Sequence, residues 1–203
     1  QLTVRPEGTA GAARAYVQHA IAGREAVSRW YYIGPMFRAE RPAKGRYRQF
    51  HQAGCEIYGD LGPVCDAELI DMCAAIVTGL GVSDFVIHIN SIGSGPTRER
   101  YREALRAYFT PMRAELSEDS QRRLETNPLR ILDSKAPEDR ACVEGAPSVV
   151  DILAPEDASH FDELRRHLDA LGVPYVVDPK LVRGLDYYTR TLFELKTTSG
   201  ELG

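Results

Sequence analysis

The chain has 203 residues, of which 43% are hydrophobic and 27% charged, and this composition is typical of a globular protein with one domain or one domain plus a small insertion. The longest apolar stretch, residues 72–82, is short and interrupted by Thr78, Gly79 and Gly81, which excludes a transmembrane helix. No basic region followed by an apolar run opens the sequence, so no signal peptide is indicated. The formal net charge of −4 argues against a uniformly basic protein but is compatible with a local basic patch.

The cysteines give no sign of a metal site or of a disulfide framework. Cys55, Cys65, Cys73 and Cys142 form no Cys-x-x-Cys pair, and no two histidines have metal-ligand spacing. We therefore expect no metal ligands and reduced thiols, as in a cytoplasmic protein.

The first half of the chain alternates helix and strand patterns. In chain order we predict the end of a strand at 2–5, a helix at 8–22, strands at 30–40 and 50–58, a helix at 66–80 and a strand at 85–90. Asp66 is the predicted N-cap of the second helix, and Gly81 its end. The apolar stripe of that helix is predicted to contain Leu69, Cys73, Ile76, Val77 and Leu80.

The composition changes in the second half. Residues 97–157 are helical in pattern, charged and polar, with a break expected near Pro111, and we interpret them as a small helical insertion. The last predicted helix carries Phe161, Leu164, Leu168 and Leu171 and ends at Gly172. Strand patterns return at residues 175–177 and 192–197. Together these patterns predict an α+β fold with an antiparallel-rich sheet.

The segment from Trp30 to Gly59 carries the clearest chemical pattern. On its second strand one face is predicted to hold Phe50, Gln52, Gly54, Glu56 and Tyr58, and the other face His51, Ala53, Cys55 and Ile57. Arg38 and Glu40 lie two residues apart and would share a face of the first strand. Gly54 would leave room for a ligand to approach the backbone. The segment offers a guanidinium that can bind phosphate, an aromatic ring that can stack on a base and a carboxylate that can accept an N–H. These groups suit a ligand with phosphate and amine groups, although a solvated charged hairpin fits the pattern equally well.

Two further segments combine charge with apolar or turn residues. Residues 181–190 place Arg183 and Asp186 among apolar and aromatic side chains, either as an internal ion pair bracing Gly184 or as a phosphate-binding group. Residues 5–9, Arg-Pro-Glu-Gly-Thr, form a short polar turn that is also compatible with a helix cap at Thr9.

These three segments, in this order, closely resemble the class II histidyl-tRNA synthetases. Residues 5–9 resemble the amino-acid loop of that family, residues 37–52 its version of class II motif 2, and residues 181–188 its histidine-specific signature. Residues 90–93 and 132–135 extend the resemblance over essentially the whole chain. The signature is far more specific than the motif 2 core, which class II enzymes share.

The resemblance implies an ATP site, with Mg²⁺ accompanying the nucleotide. Arg38 would hold the α-phosphate and Arg183 would be its second contact, so both would be catalytic. Glu40 would lie near the adenine amino group, Arg46 would reach the outer phosphates, and Phe50 would stack on adenine. Attack of a carboxylate on the α-phosphorus needs no side-chain nucleophile, so positioning and positive charge carry the catalysis.

The resemblance also implies a histidine site. Glu7, Thr9 and Gln52 would receive the α-amino group. Glu56 and Tyr188 would contact the two imidazole nitrogens, and Tyr187 would support the pocket wall. A substrate without those nitrogens would leave buried polar groups unpaired, which is a strong basis for rejecting analogues.

The implied organisation is a class II synthetase sheet flanked by helices, with residues 1–94 and 159–203 forming two parts of the catalytic core and residues 95–158 the helical insertion. Motif 1, motif 3 and the anticodon-binding domain of the family are not found in the sequence, so we interpret the chain as an internal piece that is inactive or weakly active alone. The implied function is ATP-dependent activation of histidine and its transfer to tRNA(His), by a cytoplasmic homodimer with no membrane association. Contact between the insertion and the tRNA acceptor arm is also implied.

Two catalytically silent relatives are the alternatives. The regulatory subunit of ATP phosphoribosyltransferase and the synthetase-like sensor domain of a stress kinase share the fold but tend to lose the motif 2 and signature residues. Arg38, Glu56, Arg183 and Tyr188 are all present here, which favours the synthetase.

Overall fold

The computed structural model describes residues 4–43, 45–182 and 188–197. Within them the α-helices are α1 (Thr9–Gln18), α2 (Pro63–Gly79), α3 (Gly95–Phe109), α4 (Glu118–Thr126), α5 (Asp139–Glu144) and α6 (Pro155–Leu171). The strands are β1 (Ser28–Phe37), β2 (Gln49–Tyr58), β3 (Phe85–Ser91), β4 (Tyr175–Val177) and β5 (Thr191–Thr197). Short 3₁₀ turns separate several of the helices.

The described strands form two sheets. β1 and β2 make a long antiparallel hairpin that is paired from Ser28 opposite Tyr58 to Phe37 opposite Gln49. The second sheet has the order β4-β3-β5, in which β3 is parallel to β4 and antiparallel to β5. The α+β class and the antiparallel character predicted from the sequence are therefore confirmed. No helix within the described ranges is long and apolar enough to cross a membrane.

Two apolar clusters form the main core, and Val150 and Leu153 pack against both of them. One lies between α2, α6 and the three-stranded sheet and contains Ala67, Ile70, Ile87, Ile89, Phe161, Leu164, Leu168 and Val173. The other lies between α3 and the 3₁₀ turn Val149–Ile152 that follows α5, and contains Tyr101, Leu105, Phe109, Leu116, Leu124, Ile131, Leu132, Cys142 and Val149. The helical segment thus has apolar side chains of its own to bury, which is what stabilises a small unit of structure.

The first two helices differ from their predicted bounds. The helix predicted at 8–22 ends at Gln18, because Ala20 takes a left-handed φ of 50° and the chain continues as a 3₁₀ turn at Ile21–Gly23. Helix α2 begins at Pro63, since a proline at the first helical position is preset for the helix, and Gly62 rather than Asp66 is its N-cap.

The predicted apolar stripe of α2 is wrong. The helix buries Cys65, Ala67 and Ile70, whereas Ile76 is 46% exposed and Leu80 is 78% exposed. Because α2 is apolar around most of its circumference, helical periodicity alone could not select the buried side, and packing against α6 decides it.

The N-terminal strand predictions also need correction. The strand predicted at 30–40 ends at Phe37, so Arg38 and Glu40 lie beyond it. Val4 and Arg5 are not in a strand, although the Phe37 N–H donates to the Arg5 carbonyl at 2.9 Å. The remaining part of the predicted strand, residues 2–3, lies outside the described residues.

The other predicted elements agree with the structure within a few residues. β2, β3, β4 and β5 match their predicted ranges, and α3 ends at Phe109, before Pro111. Helix α6 ends at Gly172, whose φ of 70° is the left-handed conformation that a C-terminal glycine permits.

A buried carboxylate joins α3, α6 and the segment that follows residue 188. Asp157, in the first turn of α6, is fully buried. One of its oxygens accepts the Ser94 N–H at 2.9 Å, the Ser94 hydroxyl at 2.8 Å and the Thr97 hydroxyl at 2.6 Å. The other accepts Nε–H of Arg190 at 3.2 Å. Burial alone raises the pKa of Asp157, but these hydrogen bonds outweigh it and lower the pKa to about 2.

We expect Asp157→Asn to lower the free energy of unfolding by about 3 kcal/mol at pH 7. The N–H and O–H groups that donate to the ionised carboxylate would lose their charged acceptor. A carboxyl whose pKa falls from 3.8 to about 2 on folding stabilises the fold above its unfolded pKa, and this contribution disappears as pH falls through the folded pKa. The difference between parent and variant should therefore shrink between about pH 5 and pH 2. Urea unfolding at several pH values measures it.

Asp162→Asn is the matched control, since Asp162 lies on the same helix with a side chain that is 66% exposed and 3.6 Å from Arg165. It should change stability by less than about 0.5 kcal/mol. An equal effect of the two substitutions would contradict the role assigned to Asp157.

Candidate active site on the β1–β2 hairpin

The predicted chemical face of β2 is present. Phe50, Gln52, Gly54 and Glu56 are partly buried on it, and the intervening His51 and Ala53 are exposed. The strand register sets Trp30 opposite Glu56, Tyr32 opposite Gly54, Gly34 opposite Gln52 and Met36 opposite Phe50. Because directly opposite residues of an antiparallel pair point to the same face, β1 adds these side chains to the site.

The N-terminal segment lies across this face. The Gly8 N–H donates to Oε1 of Gln52 at 3.1 Å. The Glu7 carboxylate accepts the Thr9 N–H at 2.7 Å and the Ala10 N–H at 2.8 Å, which stabilises the first turn of α1. The structure thus brings together the residues predicted for the α-amino group, namely Glu7, Thr9 and Gln52.

Arg5 fixes the start of the segment to β1. Its Nε–H donates to the Pro35 carbonyl at 2.8 Å, and its own carbonyl accepts the Phe37 N–H at 2.9 Å. A cavity of about 570 Å³ lies between this segment, α1 and β1, and Glu7 belongs to its lining. That volume falls in the usual range of small-molecule sites.

Tyr32 is the site residue that the sequence analysis missed. Its hydroxyl donates to Oε1 of Glu56 at 3.3 Å and lies 3.3 Å from Oγ1 of Thr9. It therefore connects the side chain predicted for the imidazole with one predicted for the α-amino group. Burial raises the pKa of Tyr32, the Thr9 hydroxyl opposes the shift, and the Glu56 carboxylate adds to it.

The space above Gly54 is filled, which corrects the expectation that it is open to a ligand. A Cβ built on Gly54 would lie 2.2 Å from Cζ of Tyr32, and one on Gly8 would lie 2.1 Å from Cε2 of the same ring. The two glycines therefore make room for Tyr32. The strand register could have indicated this contact, because an aromatic side chain on one strand often covers a glycine that lies directly opposite on the next strand.

An aromatic cluster supports the Glu56 end of the site. Tyr16 of α1 stacks on Tyr58 at 4.5 Å between ring centroids, and Trp30 packs edge-on against both rings. Burial, together with the nearby Glu56 charge, raises the pKa of Tyr58 to about 12, so its hydroxyl stays protonated at neutral pH.

Arg38 occupies the opposite end of the face. Its Nε–H donates to the Pro6 carbonyl at 2.9 Å, and its guanidinium lies 4.9 Å from the centroid of the Phe50 ring. Since a guanidinium has five N–H donors, others remain for a phosphate. The structure thus places two predicted ATP-binding side chains in direct contact.

Glu40 and Arg46 lie on the exposed connection between the strands. Backbone bonds between Ala43 and Arg46 close its tip, with Gly45 at φ 77°, and Arg48 donates to the Glu40 carbonyl at 3.2 Å. Both predicted side chains are exposed, and their ATP contacts stay predictions.

The histidine-specific signature is described only at its edges. Arg183 and Tyr187 lie outside the described residues. Tyr188 packs against a small cluster of Ile92, Leu181 and Leu192, and its carbonyl accepts a hydrogen bond from Arg98 at 3.2 Å. Its predicted partnership with Glu56 at the imidazole stays a prediction.

A magnesium ion at this site would depend on the nucleotide. Within residues 4–43, 45–182 and 188–197 no group of three or more His, Cys, Asp or Glu side chains could hold a metal ion. Mg²⁺ in nucleotide sites keeps several waters and is held largely by phosphate oxygens, so a hairpin with isolated carboxylates fits that mode of binding.

Comparison with known proteins gives a consistent result. Residues 1–200 match the family model described as histidyl-tRNA synthetase. A histidine–tRNA ligase of Sorangium cellulosum is 68% identical over 202 residues, which are 100% of this chain and 47% of the relative. One of Streptococcus thermophilus is 52% identical over 199 residues, covering 97% of this chain and 47% of the relative. The chain spans about half the length of the curated relatives it matches.

Solved structures agree. The crystal structure of apo S. aureus histidyl-tRNA synthetase is similar with a TM-score of 0.73 and 40% identity, over 94% of this chain and 44% of that one. A Bacillus halodurans protein described as an ATP phosphoribosyltransferase regulatory subunit/histidyl-tRNA synthetase has a TM-score of 0.63 and 23% identity, over 96% of this chain and 54% of that one. The second likeness shows a shared fold.

Gly54→Ala should lower the free energy of unfolding by about 1–3 kcal/mol, because the new methyl group would overlap the Tyr32 ring and displace it. Urea unfolding measures the loss. Gly11→Ala is the matched control, since a Cβ on Gly11 meets nothing within 4 Å inside α1. It should stabilise the chain by about 0.5–1 kcal/mol. If Gly54→Ala is as harmless as Gly11→Ala, the ring does not need the space above Gly54.

Proposed function

Because this chain belongs to the histidyl-tRNA synthetase family, we propose that it forms the part of a histidine–tRNA ligase that activates histidine with ATP to histidyl-adenylate, for transfer to tRNA(His). The observation that carries the proposal is the chain of contacts on the hairpin face. It runs from Glu7 and Thr9 through Tyr32 to Glu56, with Gln52 beside it.

In this proposal the amino-acid loop and the hairpin bind histidine together. The ammonium group has three donors, and the proposal assigns them to acceptors on Glu7, Thr9 and Gln52. Glu56 accepts an imidazole N–H, and Tyr188 contacts the other ring nitrogen, with Tyr187 at the pocket wall. Polar groups matched to two nitrogens would be left unpaired by amino acids that lack them, which disfavours those substrates.

The α-phosphate site uses charge and position. Arg38 donates to the nonbridging oxygens, on which negative charge builds up as the histidine carboxylate attacks the α-phosphorus and pyrophosphate leaves. The proposal gives Arg183 the same role from the other side. Fixing Nε of Arg38 on the Pro6 carbonyl limits its motion, which reduces the entropy lost on binding the nucleotide.

The remaining ATP contacts are proposed from the resemblance and from the position of the loop. Glu40 receives the adenine amino group, Phe50 stacks on the base, and Arg46 at the exposed tip reaches the outer phosphates. Mg²⁺ supplies charge neutralisation on those phosphates when bound.

We propose the same domain arrangement as for the family. Residues 1–94 and 159–203 are the two core parts and residues 95–158 the insertion, and the apolar cluster formed within residues 101–149 supports this division. A role for the insertion at the tRNA acceptor arm, a homodimeric assembly and a cytoplasmic location belong to this proposal, the last in line with four free cysteines.

The test is a chimera in which this chain replaces the matching segment of the 68%-identical Sorangium cellulosum ligase. It should catalyse histidine-dependent exchange of pyrophosphate into ATP. Arg38→Ala should reduce kcat about 10²- to 10³-fold, by analogy with the loss of one donor to a transition-state anion. Glu56→Ala should instead raise the KM for histidine by about tenfold or more.

Arg113→Ala is the control, because Arg113 pairs with Glu125 on the exposed surface of the helical segment, 2.7 Å away. It should leave exchange unchanged. A chimera that folds, as judged by its circular dichroism and thermal unfolding, but performs no histidine-dependent exchange would contradict the proposed function and favour a catalytically silent relative.

A further inference from the structure

Tyr32 touches both halves of the amino-acid site, and the following inference rests on the function proposed above. Its hydroxyl lies 3.3 Å from Oγ1 of Thr9 and 3.3 Å from Oε1 of Glu56. Thr9 is the first residue of α1 and Glu56 lies in β2, so Tyr32 is a direct side-chain link between groups 47 positions apart in the sequence.

The direction of these hydrogen bonds follows from counting protons. A carboxylate only accepts, so the Tyr32 hydroxyl donates its single proton to Glu56. The Tyr32 oxygen can then only accept from Thr9, whose hydroxyl proton is directed toward Tyr32. The free lone pairs of Thr9 Oγ1 are left as acceptors, and the second oxygen of Glu56 is left as another.

Two acceptors linked through one hydroxyl suit the two ends of histidine, both of which carry donors. The ammonium group carries only donors, and an imidazole N–H is a donor as well. We infer that Tyr32 is a positioning residue of the histidine site, which holds Thr9 as an acceptor for the α-ammonium group and Glu56 as an acceptor for the imidazole N–H.

The ring of Tyr32 is held firmly enough to act in this way. Gly8 and Gly54 both approach its Cε2–Cζ edge so closely that a Cβ on either would overlap it. The hydroxyl contacts at 3.3 Å are longer than the usual O–H···O distance of about 2.7–2.8 Å, so the close approach of the two glycines is the tighter constraint on the ring.

Tyr32→Phe tests the inference, since it removes the hydroxyl and keeps the ring between the glycines. In the chimera we expect the KM for histidine in pyrophosphate exchange to rise about tenfold, with the KM for ATP unchanged and kcat changed by less than about threefold. Binding of 3-(imidazol-4-yl)propionate, which lacks the amino group, should weaken less than binding of histidine, because the analogue uses Glu56 but makes no contact with Thr9.

A mutant cycle tests the link to Thr9. If Tyr32 acts through Thr9, Thr9→Val should raise the KM for histidine strongly in the parent chimera and only weakly in the Tyr32→Phe background. Tyr31→Phe is the matched control, because the neighbouring Tyr31 is 79% exposed on the other face of β1, and it should leave all constants unchanged.

Three results would overturn the inference: an unchanged KM for histidine, equal changes in the KM values for histidine and ATP, or equal weakening of histidine and its deaminated analogue. An unmutated chimera without exchange activity would instead contradict the proposed function, so the two failures are distinguishable.

Discussion

The Tyr32 ring between Gly8 and Gly54 determines how the N-terminal segment lies on the hairpin. A Cβ at either glycine would overlap this ring. With the ring in place, the Gly8 N–H reaches Gln52, and the Glu7 carboxylate starts α1 over the same face. The site is therefore assembled from two parts of the chain by steric fit at one aromatic ring, and hydrogen bonds then define the positions of the polar groups.

A second group of hydrogen bonds lies at the three-stranded sheet. These bonds fix the residues at the two ends of the signature segment. On one side, the buried Asn90 of β3 donates from its side chain to the Leu181 carbonyl at 3.0 Å. On the other, Arg190 bonds through its backbone to Ile92 and Gly93 while its side chain reaches Asp157. An arginine at φ 56° is uncommon, and it is held there by bonds to its backbone N–H, its carbonyl and its guanidinium. The end of β3 thus sets where the flanks of the signature lie.

The alternation along residues 50–58 was sufficient to predict which side chains of β2 share the site, because a strand has a period of two and one face is polar. The contact of Tyr32 with Thr9 was not predictable in this way, since it depends on how the start of α1 packs against a strand 23 positions later. The prediction of the buried side of α2 failed for a related reason, because an almost uniformly apolar helix has no polar pattern that indicates which face is buried. The end of β1 was missed because Arg38 continues a strand-like sequence, although its backbone N–H still pairs with the Arg48 carbonyl.

The contact between Arg38 and Phe50 means that their two proposed ATP roles are not independent. A ring has two faces, and the guanidinium already lies over one of them at 4.9 Å from the centroid. Adenine stacked on the other face would leave this cation–π contact intact and would place the base and the α-phosphate donor on opposite sides of one rigid group. Truncating Phe50 would then remove both the stacking surface for adenine and a support of Arg38. Side chains in direct contact show coupled effects, so the losses from changing Arg38 and Phe50 together should not equal the sum of the separate losses.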